Sequence, residues 1–69
     1  MTDDDLPRAI GRPALGALRA AGINRLSEVG RLREEDLLAL HGVGPRAVRL
    51  LRAELAERGL DLTDPDEGF

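Results

Sequence analysis

Leu37-Leu38-Ala39-Leu40-His41-Gly42-Val43-Gly44-Pro45-Arg46-Ala47-Val48-Arg49-Leu50-Leu51 decides the fold: an apolar helical pattern stops at Gly42 and resumes, with arginines added, after Pro45. Gly42 follows the last apolar residue of one helix, where glycine takes a left-handed cap with no Cβ clash. Val43 is the one large apolar side chain inside the turn and is expected to tuck beneath it, fixing how the two helices cross. Gly44 lets the backbone approach another surface, and Pro45 suits a first helical position, where its missing N–H would have had no partner. A helix starting there offers the free amides of Arg46 and Ala47 and the positive end of its dipole to an anion, with Arg46 and Arg49 one turn apart beside it. The stretch reads as two helices joined by a turn that can grip a phosphate.

Helical signals continue on both sides. Residues 13–21 predict a first helix, with Pro13 at its start, Ala14, Ala17, Leu18 and Ala21 at helical spacing, and Gly22 as its stop before Ile23 packs back. Residues 24–29 read as a short second helix capped by Asn24 or Ser27, with Leu26, Val29 and Leu32 turned inward. Glu34, Glu35 and Asp36 put acids in the first turn of a third helix, ahead of Leu37, Leu38 and Leu40, and this helix ends at Gly42. Residues 45–58 predict a fourth, with Ala47, Val48, Leu51 and Leu55 on one stripe, Glu54 and Arg58 as an i,i+4 pair, and Gly59 as the stop from which Leu60 folds back. Nothing alternates with period two over a useful length, so the fold class is all-α, a compact domain of four or five helices. Ile10-Gly11-Arg12-Pro13-Ala14 and Val43-Gly44-Pro45-Arg46-Ala47 each set a glycine before an Ala-led helix, with proline and arginine between in opposite order. This pair is read either as a degenerate internal duplication or as one turn plus an ordinary proline-started helix.

A chain of 69 residues allows one domain with a small core, burying about 60% of its unfolded surface and leaving little room for an active-site cavity. The absence of cysteine removes disulfides and thiolate metal sites, so stability rests on helix packing. No run of roughly 18 apolar residues occurs, and the acidic start Met1-Thr2-Asp3-Asp4-Asp5 is unlike a basic secretory signal; a cytoplasmic location away from membranes is expected. The expected organisation is a disordered acidic tail at 1–5, a domain at 6–61 and a second disordered acidic tail at 62–69.

Net charge is -3, which by itself argues against a polyanionic partner. Its distribution reverses that reading. Seven of the thirteen acids lie towards the ends, whereas residues 6–60 carry ten arginines against Glu28, Glu34, Glu35, Asp36, Glu54 and Glu57, a net of +4. The local field at a face, not the total charge, sets phosphate affinity. All ten basic residues are arginine, in a composition rich in Ala, Leu, Gly and Pro that points to a high-GC genome.

Catalytic chemistry finds no foothold. His41 is the single histidine and sits at a helix end, where it serves the cap or the dipole. Three consecutive acids, Glu34, Glu35 and Asp36, splay around a helix instead of converging on a metal. Gly42-Val43-Gly44 lacks the strand and third glycine of a dinucleotide fingerprint, and the lysine of a P-loop. Stacking on single strands needs aromatic platforms, but Phe69 is the single aromatic residue. The expectation is a non-enzyme with no cofactor, no metal and no small-molecule substrate.

Leu40-His41-Gly42-Val43-Gly44-Pro45-Arg46-Ala47 resembles the signature of helix-hairpin-helix proteins, which hold a nucleic-acid backbone through hairpin amides without reading bases. Residues 6–60 as a whole resemble the C-terminal domain of the bacterial RNA polymerase alpha subunit and small stand-alone bacterial proteins related to it. Leu18-Arg19-Ala20-Ala21-Gly22-Ile23, Glu34-Glu35-Asp36-Leu37-Leu38, Gly44-Pro45-Arg46 and Leu55-Ala56-Glu57-Arg58-Gly59-Leu60 carry that resemblance. It implies a SAM-like helical architecture and contact with double-stranded DNA through Gly42, Val43, Gly44, Arg46, Ala47, Arg49 and Arg12. Arg46 stands where the family has a DNA-contacting lysine. Arg12 sits near the family's first-helix arginine, but Pro13, Leu15 and Gly16 occupy the facing positions, so backbone contact is implied more than sequence preference. The alternative is a scaffold hairpin in a module that docks a transcription or repair protein, as the polymerase domain also does with activators. Arg49 and Arg12 would then merely solvate their helices.

Overall fold

The computed structural model describes residues 4–63. Four α-helices follow a single 3-10 turn at Arg8–Ile10: α1 (Arg12–Ala20), α2 (Leu26–Val29), α3 (Glu34–Leu38) and α4 (Pro45–Glu57). Among the described residues there is no strand; a lone antiparallel bridge joins Asp5 to Arg25. The all-α class is therefore observed.

Helix α4 forms the floor of the domain because its apolar stripe is regular over 13 residues. Ala47, Val48, Leu51 and Leu55 are all buried on it, as helical spacing requires. The 3-10 turn, α2 and α3 pack against it. Ala14 and Leu18 from α1, Ile23, Leu26, Val29, Leu37 and Val43 complete the core, with Leu6, Ile10, Ala17, Leu32, Leu40 and Leu62 partly buried around it. The radius of gyration, 11.0 Å, equals the roughly 11 Å of a folded chain of this length.

Both long helices end alike. Ile23 N–H donates to Leu18 O and Gly22 N–H to Arg19 O after α1; Leu60 N–H donates to Leu55 O and Gly59 N–H to Ala56 O after α4. Each is a Schellman closure that satisfies carbonyls the helix leaves open. The backbone folds back at Leu60, but its side chain stays 46% exposed.

Several local expectations are corrected. Helix α1 starts at Arg12, one residue earlier than Pro13, with Gly11 at the N-cap. Neither Asn24 nor Ser27 caps α2. Its N-cap is Arg25, which has no acceptor to offer, so the Glu28 carboxylate reaches back to the N–H groups of Asn24 and Arg25, at 3.0 Å each. Of the three leucines expected on the apolar side of α3, Leu37 is fully buried while Leu38 is 42% exposed. A helix of five residues, little more than one turn, cannot bury them all.

The packed unit is wider than residues 6–61. Asp4 accepts from Ser27 N–H and Ser27 Oγ, each at 2.7 Å, and its carbonyl accepts Leu26 N–H. These bonds, led by the Ser27 hydroxyl, hold the Asp4 carboxyl below its ordinary pKa. At the other end Thr63 N–H donates to Leu32 O and Thr63 Oγ1 to Gly30 O. Asp4 and Asp5 at the start and Leu62 and Thr63 at the end thus belong to the folded unit; the remaining tail residues, 1–3 and 64–69, lie outside the described residues. No helix of the described residues is long and apolar enough to cross a membrane.

Candidate functional site

Two of the four helices begin with neither a side-chain hydrogen bond at their start nor an acid in their first turn. In α4 the N-cap is Gly44, no side chain caps it, and the first turn holds no acid. Val48 N–H is the first amide to bond back, to Gly44 O at 3.1 Å, which leaves the N–H groups of Arg46 and Ala47 pointing outward from the helix start. Helix α1 repeats the arrangement: Gly11 is the uncapped N-cap, proline follows within the first two positions, and Leu15 N–H to Gly11 O is the first return bond. Their backbones differ, however. Gly11 has φ 91, whereas Gly44 is extended at φ -104, and in the α3–α4 turn the left-handed residue is Gly42 at φ 101.

Gly42 joins the two helix starts. A Cβ on Gly42 would lie 2.8 Å from the Pro13 carbonyl oxygen, so the turn before α4 rests directly on the backbone of α1. Val43 is buried beneath the turn, as its place in the sequence suggested, and is not among the described residues that line the depression at the start of α4. Gly44 has open space where a Cβ would project. Gly42, Gly44, Arg46 and Ala47 line one shallow depression of about 380 Å³ with Ile10 and Pro13 on its far wall.

The remaining expected residues lie on adjoining surfaces. Arg49 faces a small cleft between α3 and α4, beside Leu38, Val48 and Arg52. Arg12 lines a different recess, on the outer side of α1, with Arg8, Arg19 and Asn24. Arg8 and Arg19 were not singled out from the sequence. Arg19 stands seven residues after Arg12 on one helix, a spacing that repeats a helix face and was readable; Arg8 enters through the 3-10 turn, which left no comparable signal. His41 is exposed in the α3–α4 turn, next to Leu40 and the alanines of α1.

Arginines divide into two populations. Arg52 pairs with Glu34 at 3.2 Å and with Asp61 at 3.4 Å, Arg58 with Glu54 at 3.6 Å, and Arg33 with Glu35 at 3.6 Å. Arg12, Arg46 and Arg49 have no carboxylate within ion-pair distance among the described residues. Exposed pairs contribute little to stability but cancel charge locally; Arg8, Arg19, Arg25 and Arg31 also have no carboxylate within ion-pair distance among the described residues, so unpaired positive charge lies at the two open helix starts and beyond them.

Compared with known proteins, this chain matches no family model, and no solved structure matches it. The reading that follows therefore rests on the geometry and on the resemblance carried by the sequence.

Proposed function

We propose that this chain is a non-enzymatic DNA-binding domain that holds the phosphate backbone of a duplex through the α3–α4 turn, with the organisation of a helix-hairpin-helix. The observation that carries the reading is the uncapped start of α4: two outward amides, no acid in the first turn, and Arg46 on the rim of the same depression. A phosphate oxygen there accepts from the amides of Arg46 and Ala47 and sits at the positive end of the helix dipole. Arg46, Arg49 and Arg12 neutralise neighbouring phosphates. Resemblance to the C-terminal domain of the bacterial RNA polymerase alpha subunit points the same way and would place the chain in a bacterial cytoplasm.

The expected interaction is weak and largely indifferent to sequence, because the grip is made by backbone amides and by Arg46, the one charged side chain among the described lining residues, which is assigned to phosphate. Counterion release from three arginines gives log affinity against log salt a slope of about -3. Fluorescence anisotropy of a labelled duplex, titrated across a salt series, measures it. Binding that steepens to this slope and is lost on Arg46→Glu supports the reading; binding insensitive to both overturns it.

Leu38 favours a second reading. Its side chain is 42% exposed beside Pro45 and Val48 in the α3–α4 cleft, an apolar contact for a helix of a transcription or repair protein. Such docking would change little between low and moderate salt and would fall on Leu38→Glu, with Arg46→Glu neutral.

A further inference from the structure

The recess on the outer side of α1 has its own chemistry. It is an open cleft of about 630 Å³, far larger than a bare phosphate needs. Arg8 from the 3-10 turn and Arg12 and Arg19 from α1 line it, and none of the three has a carboxylate within ion-pair distance among the described residues. Asn24 adds a side-chain amide at one end. Asp5 is the one acid among the described lining residues, which together carry a net charge of +2. Leu6 and Leu15 supply an apolar lining between the guanidiniums.

That mixture selects a ligand class. A neutral ligand makes no use of three guanidiniums, and a small inorganic anion makes no use of two leucines. A sugar–phosphate chain alternates an anionic group with a carbon-rich ring and matches both. Position strengthens the match. Arg8, Gly11 and Arg12 face this cleft, while Ala9, Ile10 and Pro13 face the depression at the start of α4. One six-residue ridge thus separates two basic recesses, and the contact of Gly42 with Pro13 fixes their spacing.

We infer that Arg8, Arg12 and Arg19 form a second backbone-holding cleft, which takes a sugar–phosphate stretch of the same duplex that the α3–α4 turn grips. This rests on the DNA-binding reading above and adds Arg8 and Arg19 to it. The two recesses act as a rigid two-point clamp astride the ridge, and five arginines instead of three contribute to the salt dependence.

The test uses the full chain, a labelled 24-base-pair duplex of arbitrary sequence, and three variants. Five phosphate contacts predict a salt slope of about -4.5 for the wild-type chain. Arg8→Ala/Arg19→Ala should reduce the magnitude of that slope by about 2 and weaken binding roughly tenfold or more at low salt. Arg8→Lys/Arg19→Lys should keep most of the slope, because lysine neutralises phosphate too. Thermal unfolding of each variant checks that the exposed substitutions leave the fold intact. If the alanine pair binds as the wild type does while Arg46→Glu abolishes binding, the second cleft is wrong and the hairpin reading stands. If the alanine pair loses binding and Arg46→Glu does not, the cleft is the site and the hairpin reading falls. A wild-type chain that fails to bind the duplex at low salt overturns both.

Discussion

Helices α2 and α3 begin under carboxylates that the chain itself supplies, whereas α1 and α4 begin bare. Glu28 covers the amides of Asn24 and Arg25 ahead of α2, and Asp4 covers Ser27 N–H; Asp36 covers Arg33 N–H ahead of α3. Each acid satisfies donors that a helix start leaves without partners and complements its dipole, which is what short helices need to form. Helix α4, with 13 residues and a buried stripe, holds together without such help. Helix α1 has nine residues and is anchored by Ala14 and Leu18. The two starts that can do without a carboxylate have none, and arginines stand beside them. Under the proposed reading an anion from outside would complete them, dividing stability and function between different helix starts of one small fold.

Breaking the junction between the two open starts has the largest expected effect. Gly42→Ala forces a left-handed φ on a residue with a Cβ and drives that Cβ to 2.8 Å from the Pro13 carbonyl oxygen. A loss of about 3 kcal/mol is expected from the two effects together. A domain of this size has only about 3–9 kcal/mol in total. Urea denaturation should show the variant largely or wholly unfolded, while Gly44→Ala, with φ -104 and open space around it, stays within about 1 kcal/mol of wild type.

Giving α4 the kind of cover that α2 already has converts one class into the other. Gly44 is in the extended conformation that an N-cap requires, so Gly44→Asp can place its carboxylate over the amides of Arg46 and Ala47. Thermal stability should rise by a few tenths of a kcal/mol, and duplex affinity should fall about tenfold, equivalent to roughly 1.4 kcal/mol, because the new acid occupies the phosphate position. Both readouts moving in the same direction would break the comparison.

Removing a cover the chain already has is milder. Glu28→Ala leaves two donors at the start of α2 to water and should cost about 1 kcal/mol, measured by urea denaturation, with duplex binding unchanged. Asp4 gives the smallest effect and a pH signature. Its folded-state pKa lies below the ordinary value, so its contribution is fully present above the ordinary carboxylate pKa of about 4 and disappears as pH falls through the lowered value. The Ser27 amide resonance should hold steady from neutral pH down to that range and then move, and the step should vanish in Asp4→Asn.

Helix α4 was legible in full: Pro45 starts it, and the stripe Ala47, Val48, Leu51 and Leu55 is the one that is buried, because a long helix gives its period several turns to show itself. Gly42 and buried Val43 were legible for a similar reason, since few residue types suit a left-handed cap or fill the underside of a turn. What escaped was set by contacts between distant residues. The cover of Ser27 comes from Asp4, 23 positions away, and nothing near Ser27 announces it. Of the residues that the sequence singles out for a candidate site, Gly42, Gly44, Arg46 and Ala47 share one depression. Arg49 and Arg12 line other recesses, and that placement was not legible. Arg49 lies three residues after Arg46, about 300° around the helix, and that offset turns it towards α3. Arg12 shares a cleft with Arg19 and with Arg8, which comes from the 3-10 turn, whose three residues carry no periodicity to read.

The most direct test of the division between open and covered helix starts is a titration of the isotope-labelled chain with a short duplex at low salt, following amide resonances in two-dimensional NMR. The account predicts shifts concentrated at Gly44, Arg46 and Ala47 and at the start of α1 around Arg12 and Ala14, reversed by added salt, with Ser27 and Glu34 to Asp36 unmoved. Shifts at the covered starts of α2 and α3 in place of the open ones, or none at millimolar duplex, would contradict it.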